Sequence, residues 1–339
     1  MKLSAEFAKL PSLLETLAIP LANRSADRVL GARGCLFTFH RATPSHIWRG
    51  LPNRAFYLDL AFLDRLLSYL TRNGWDIVTV EEATRRSQQG TGRRYVNFSV
   101  DDCYRDTFEH VVPLFRSHAV PVTLFVTTGI PDGTLPLWAA GLQDVLLERD
   151  RVLLPDGSID VTTEERKRAA FQEIAKSWDG PAAGDLYGRF CTLNGVDQSA
   201  MHARHAISWD MLAQLSRDPL VEIGAHTVSH ARISSLPEDA ALGELAGSRD
   251  RLASKLGLPI RHFAFPYGRS GDCGPRDFDL VRRAGFSSAA TTRKGLLHRG
   301  HDVYSLPRNT INGDRCSLAA MEAHLTGLGG IAARLLGRV

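Results

Sequence analysis

The 339-residue sequence has few cysteines and pairs none of them by spacing: Cys35, Cys103, Cys191, Cys273 and Cys316 are scattered, with no CxxC. That excludes the disulfide framework of a small secreted domain, and an odd, unclustered set reads as reduced thiols in a cytoplasmic protein. Long apolar runs are missing as well. Near the N-terminus the longest, Leu17-Ala18-Ile19-Pro20-Leu21-Ala22, is too short for a signal h-region and is preceded by Glu15. No run approaches the roughly 18 apolar residues of a membrane span. Charge of one sign is not in excess either: 41 Lys and Arg face 37 Asp and Glu, a net charge of +4, with both signs interspersed. This is a weakly basic surface without the concentrated footprint of a nucleic-acid binder. Repeats and low-complexity tracts are lacking too. The expectation is a soluble, cytoplasmic protein that binds no nucleic acid. Peripheral membrane contact and oligomeric state are left open.

What is present is a regular alternation of short apolar strands and amphipathic helices, the signature of parallel α/β architecture. The pattern predicts strands at Cys35–Phe39, Asp76–Val80, Tyr95–Val100, Val122–Val126, Leu220–Ala225, His262–Phe265, Ser287–Thr291 and Val303–Leu306. Several are continuous β-branched or aromatic runs, as strands buried on both faces should be. Leu63, Leu66, Leu67 and Leu70 make a helical stripe that stops at Asn73-Gly74. A helix opening with Ser235 and Glu238 at capping-box spacing carries Leu242, Leu245, Leu252 and Leu256 and closes at Gly257. A third helix is expected around Asp106–Ser117. Between 128 and 205 the alternation breaks for about eighty residues, too long for a loop in a compact domain. Helical patterns at Trp138–Leu147 and Thr163–Lys176 and a Pro155-Asp156-Gly157 turn mark this stretch as a helical insertion. The organisation read from the sequence is an N-terminal helical extension (1–30), an α/β barrel (31–315) with the insertion 128–205, and a C-terminal helix (316–339).

Three segments that carry chemistry lie at the carboxyl ends of predicted strands, the face on which parallel barrels build active sites. The first is Ser99-Val100-Asp101-Asp102-Cys103, where two adjacent carboxylates close an apolar strand. Such groups are costly unless paired, hydrogen-bonded or bound to a cation, although capping of a following helix would also account for them. The second is His226-Thr227-Val228-Ser229-His230, two histidines at i, i+4 that would share one face of a helical turn and reach one ion. Two solvated rings are the alternative. The third, Phe265-Pro266-Tyr267-Gly268, stops a strand in a sharp turn that can aim a backbone N–H into a site.

In this order and on these strand ends, the segments resemble the first three motifs of the polysaccharide deacetylase family, also called the NodB-homology domain. The resemblance runs from about Cys35 to Ile311 and includes Phe39-His40-Arg41 and Leu306-Pro307-Arg308; it leaves the first thirty residues and most of the insertion uncovered. It implies a distorted (β/α) barrel in which Asp101 is the general base. It further implies that Asp102, His226 and His230 hold one divalent ion, usually zinc, and that the Tyr267 N–H, beside Pro266, is the oxyanion donor. Departures are informative. Many members carry an arginine two residues before the third-motif proline, where this chain has Ala264; Arg308 is a candidate for the missing guanidinium, a purely structural ion pair being the alternative. Cys103 replaces the usual glycine and is expected to be structural. For the general acid, His298 matches a late Leu-x-His motif by its letters but lies in a loop-like context. His40, after the first strand, fits relatives that supply the acid from the N-terminal end and is preferred.

The reaction so implied is hydrolysis of an N-acetyl group on an amino-sugar-containing glycan or glycan intermediate. Metal coordination would bring the water's pKa towards about 7, Asp101 would take its proton, and one preorganised oxyanion donor contributes roughly 3 kcal/mol. Two other readings stand beside it: a deformylase or deacetylase acting on a lipid-linked sugar or a small cyclic amide, and a non-catalytic carbohydrate-binding relative.

Overall fold

The computed structural model describes residues 34–90, 92–178 and 182–327; the expected N-terminal extension (1–30) and residues 328–339 of the expected C-terminal helix lie outside the described residues. In chain order the strands are β1 (Gly34–Phe39), β2 (Arg41–Thr43), β3 (Tyr57–Asp59), β4 (Asp76–Ile77), β5 (Tyr95–Asp102), β6 (Val122–Val126), β7 (Arg151–Leu154), β8 (Gly157–Asp160), β9 (Val221–Ala225), β10 (His262–Ala264), β11 (Ser288–Ala290) and β12 (Asn309–Thr310). The main sheet runs β11-β10-β9-β6-β5-β1-β12 with parallel pairings, and β4 joins the first residues of β5. Its two edges approach each other: Leu306 bridges to Ala290 of β11, and Asn309 pairs with Phe37 of β1. The sheet therefore curls into the distorted (β/α) barrel.

Strand alternation sorts the side chains into two layers. Leu36, Tyr95, Phe125, Ala264, Ala290 and Leu306 share one apolar cluster inside the curl. Their sequence neighbours Phe37, Val96, Phe98, Leu124, Phe263 and Ala289 pack outward in the larger core beneath the helices. Both faces are covered, which is why apolar residues predominate on both faces of the central strands. The helix Leu60–Arg72 buries Leu63, Leu66, Leu67 and Leu70 against that outer layer, each contributing about 2 kcal/mol. Asp59 caps its start by accepting from the Ala61 N–H.

Four local expectations are corrected. Val303–Ser305 is a 3-10 turn in which Asp302 accepts from the Tyr304 N–H; Leu306 alone bridges to β11, Pro307 has no N–H to extend a ladder, and the strand follows at Asn309. The helix Glu238–Leu256 has Pro237, not Ser235, at its N-cap, because Ser235 is taken up in a 3-10 turn with its hydroxyl on the Arg232 carbonyl. The helix expected over Asp106–Ser117 begins as a π-turn, Thr107–Val111, and becomes α-helical at Val112, beside Pro113, which has no N–H to offer the preceding turn. The segment His226–His230 is not helical, as described below.

Residues 128–205 include the helices Trp138–Glu148, Glu164–Ser177, Ala183–Asn194 and Gln198–His205, together with the antiparallel hairpin of β7 and β8. They enclose a cluster of their own around Leu142, Leu146, Phe171, Ile174, Trp178, Tyr187 and Phe190.

Candidate active site

Asp101 lies on the interior face of β5, two residues beyond Ser99, and is 2% exposed. A carboxylate so buried needs a partner, and Arg308 provides it. Nη1 and Nη2 of the guanidinium donate to Oδ1 and Oδ2 at 2.6 and 2.9 Å. The same group, fully buried, donates to Thr38 Oγ1 (3.1 Å), Ser99 Oγ (2.9 Å) and the Thr291 carbonyl (3.0 Å). Arg308 thus stands where Ala264 supplies no charge. Burial works to raise the Asp101 pKa, but the charge and hydrogen bonds of Arg308 outweigh it and hold the group at about 2.

Strand alternation alone would send Asp102 to the opposite face. Instead Asp102 and Cys103 adopt left-handed backbone, φ 68° and 66°, and the chain turns so that Asp102 reaches the histidines. Left-handed backbone also explains why glycine is at home at position 103. Burial raises the Cys103 thiol well above its usual value, which fits a structural residue rather than a nucleophile.

His226 follows β9 directly. The loop beyond it is irregular, with φ 66° at Thr227 and 58° at His230, so the histidines converge through two left-handed residues and not through a helical turn. Glu244, from the helix Glu238–Leu256, holds this loop by accepting from the Val228 and Ser229 N–H groups, both at 2.9 Å, and from the Ser229 hydroxyl at 2.7 Å. His226 Nδ1 donates to the Ala264 carbonyl at 2.7 Å, which fixes the tautomer and leaves Nε2 as the free lone pair. Burial pushes the His226 pKa down to about 4, against the opposing pull of Asp101, so the ring is neutral as a ligand must be. Asp102 Oδ1 lies 3.6 Å from His226 Nε2 and 3.3 Å from His230 Nε2. Ligand atoms of the three residues fall within 4.8 Å of one another, and Asp102 Oδ1 is buried without a hydrogen-bond donor. An orphaned carboxylate oxygen facing two imidazole nitrogens is costly unless a cation completes it; the donor set fits a divalent metal.

After β10, Pro266 ends the ladder and Tyr267 and Gly268 both take left-handed backbone, φ 63° and 67°. A Cβ at Gly268 would meet the Thr292 nitrogen at 2.8 Å, so glycine is required there. Tyr267 is 43% exposed, its ring centre 5.2 Å from that of His230 in an edge-on arrangement and 4.6 Å from the Arg232 guanidinium.

The structure separates the two histidines considered as acid. Phe39 pairs with Val100, so His40 stands level with Asp101 at the barrel mouth, stacked on Phe56 at 4.4 Å, and its charge acts on Asp101. Leu297 pairs with Gly34, the first residue of β1. The exposed His298 is therefore at the opposite end of a six-residue strand, about 15 Å or more from the site. Thr38 and Ser99, which brace Arg308, and Glu244, which braces the histidine loop, were given no role in the sequence, Ser99 standing there only as part of the Asp101-Asp102 segment. Period-two alternation back from Asp101 would have found Ser99; nothing local marks Glu244.

A parallel barrel with a buried, arginine-paired carboxylate and a carboxylate–imidazole cluster at the carboxyl ends of its strands has the layout of an α/β hydrolytic enzyme. The sequence profile of the polysaccharide deacetylase family matches residues 88–284, over half of the chain, and the protein belongs to that family, as a hydrolase of the polysaccharide N-deacetylase type. Solved structures with this fold include the Streptococcus pyogenes deacetylase PplD in complex with acetate, 13% identical over 85% of this chain and 96% of that one, TM-score 0.57. Others are IcaB from Ammonifex degensii (19% identity, 87% and 97% coverage, TM-score 0.57) and the BpsB deacetylase domain from Bordetella bronchiseptica (16%, 83% and 96%, TM-score 0.52). No curated protein sequence matches. No helix among the described residues is long and apolar enough to cross a membrane.

Proposed function

We propose that the protein is a metal-dependent N-deacetylase acting on an amino-sugar-containing oligosaccharide, polysaccharide or glycan intermediate. The observation that carries this reading is the juxtaposition of an Arg308-paired Asp101 with the orphaned Asp102 oxygen and two imidazoles at one barrel mouth. Asp102, His226 and His230 would hold one divalent ion, and two nitrogens with one carboxylate favour zinc. When bound, the ion would acidify a water and polarise the acetyl carbonyl.

The acidity of Asp101 explains why such help is needed. Held well below the usual carboxylate range by Arg308, Asp101 is far too weak a base to take a proton from free water. A divalent ion held by Asp102, His226 and His230 would narrow that difference by bringing the water's pKa towards about 7. Asp101 then accepts the proton at a carboxylate oxygen, its orientation fixed by Arg308. The Tyr267 N–H, set by its left-handed turn, faces the developing oxyanion. His40 protonates the departing amine nitrogen, so that amide and water become acetate and free amine. Scattered, unpaired cysteines favour a reducing, cytoplasmic compartment, where the substrate would be a biosynthetic intermediate.

Acetate release from a panel of N-acetylated oligosaccharides and nucleotide- or lipid-linked sugars tests this reading, with Asp101→Asn as control. Acetate from at least one sugar amide, lost in the variant, supports it. Formate release or sugar binding without turnover would turn it toward a deformylase or a non-catalytic relative.

A further inference from the structure

Next to His40, Arg41 is 5% exposed, and a buried guanidinium persists only if its donors and charge are satisfied. Its Nε lies 3.2 and 3.1 Å from the two oxygens of Asp106. Its plane is held between the rings of Tyr57 and Tyr104, 4.6 and 4.4 Å from their centres. Asp106 Oδ2 also accepts the Ala42 N–H at 3.2 Å. Arg41 and Ala42, the two residues after His40, are therefore tied to Asp106, four residues beyond the end of β5 and its Asp101-Asp102 pair.

A further donor of the same guanidinium reaches into the insertion. Arg41 Nη2 is 3.2 Å from His205 Nδ1. Because a guanidinium has no lone pair to offer, Nδ1 must be the acceptor and the ring proton sits on Nε2. Nε2 is 2.8 Å from Asp144 Oδ2, so the contacts form one directed chain, Arg41 to His205 to Asp144. Asp144 takes a further bond from Arg204 at 2.7 Å, and the preceding residue, Gln143, donates to the Tyr57 hydroxyl at 3.0 Å. Asp144 and His205 lie on two helices of residues 128–205, the stretch with its own apolar cluster.

We propose that Asp106 and the His205–Asp144 pair are positioning residues which, through Arg41, seat His40 beside Asp101, so that the insertion builds part of the acid arm of the site. This rests on the reading of His40 as the acid. A 1 Å misplacement of a reacting group costs up to about 10² in rate, whereas an ion pair serving only the fold would affect every substrate alike. Two substrates separate these outcomes, since protonation of the leaving group matters far more for an amine than for a phenolate.

The test is acetate release from an N-acetylated chitin oligosaccharide and from an aryl acetate by the metal-loaded, full-length protein. Parent, Asp106→Asn, His205→Ala, His205→Gln and His40→Ala are compared, with Asp106→Asn and His205→Ala also placed in the His40→Ala background. Each positioning variant should lower the amide-to-ester ratio by about tenfold or more, while adding less than about twofold once His40 is gone. His205→Gln, whose amide can accept from Arg41 and donate to Asp144, should recover most of the ratio. If Asp106→Asn fails to fold, the His205 variants carry the test alone. An unchanged ratio in the positioning variants, or an equal loss with and without His40, would overturn the proposal. An unchanged ratio in His40→Ala would instead remove the acid assignment on which it rests, an outcome visible in that variant by itself.

Discussion

Replacing Arg308 by methionine tests the buried Asp101–Arg308 pair most sharply, because it keeps the length of the stem and deletes the guanidinium. Asp101 would remain 2% exposed with no cation, and the Thr38 and Ser99 hydroxyls and the Thr291 carbonyl would lose their donor. Breaking a buried pair in this way costs about 3–5 kcal/mol, a large part of the 5–15 kcal/mol typical of a folded domain. The pH dependence follows from the direction of the shift. With Arg308 present the folded-state pKa is depressed to about 2 from an ordinary 3.8, so the ionised pair stabilises the fold above about pH 4 and that contribution is lost as pH falls through about 2. Without Arg308, burial is the main remaining influence and lifts the pKa above its unfolded value. Each unit of that lift costs about 1.4 kcal/mol once the pH exceeds it. The deficit of R308M should therefore be largest near neutral pH and shrink below about pH 4. Denaturant unfolding at several pH values reads this as a midpoint shift at constant slope, and R308M/D101N should regain much of the loss. A midpoint equal to the parent's at neutral pH, with no rescue by D101N, would refute the argument.

Other outcomes follow from the same geometry. H226A and H230A should each lose metal retention and activity together, read by elemental analysis and acetate release, while circular dichroism stays close to that of the parent. H40A should cut amide hydrolysis by about 10² or more, far beyond its effect on an activated aryl acetate. H298A, at the far end of β1, should leave the ratio of the two substrates at the parent's value, and the reverse pattern would exchange the assignments. Gly268→Ala should lower stability by about 1–2 kcal/mol for the left-handed backbone alone, with more from the contact at the Thr292 nitrogen, and should slow deacetylation by disturbing Tyr267; a thermal midpoint equal to the parent's would count against that turn being strained.

How far the site could be read from sequence depended on how local each relation is. The apolar runs of β1, β5, β6 and β9 and the Leu63–Leu70 stripe are period signals, and they located the barrel. Asp101-Asp102 and His226-x-x-x-His230 were visible as letters at strand ends, but their geometry was not. Left-handed residues at 102, 103, 227 and 230 turn the chain where alternation and helical spacing predict something else. Arg308 could be named only as a candidate, since its partner is 207 positions away. The Arg41 contacts, 65 positions from Asp106 and 164 from His205, leave no periodic trace. The helix Ala183–Asn194 went unread because Gly184 and Gly188 lower its local propensity and packing against Trp178 and its neighbours forms it.

On the proposed reading, Asp102, His226 and His230 hold one ion without which Asp101 has no water acidic enough to use. Acetate release from an active sugar amide, followed while chelator-stripped protein is titrated with zinc, measures this directly. Negligible release is expected from the stripped protein, with recovery that saturates near one equivalent per chain. Undiminished acetate release from protein shown to be metal-free would contradict it.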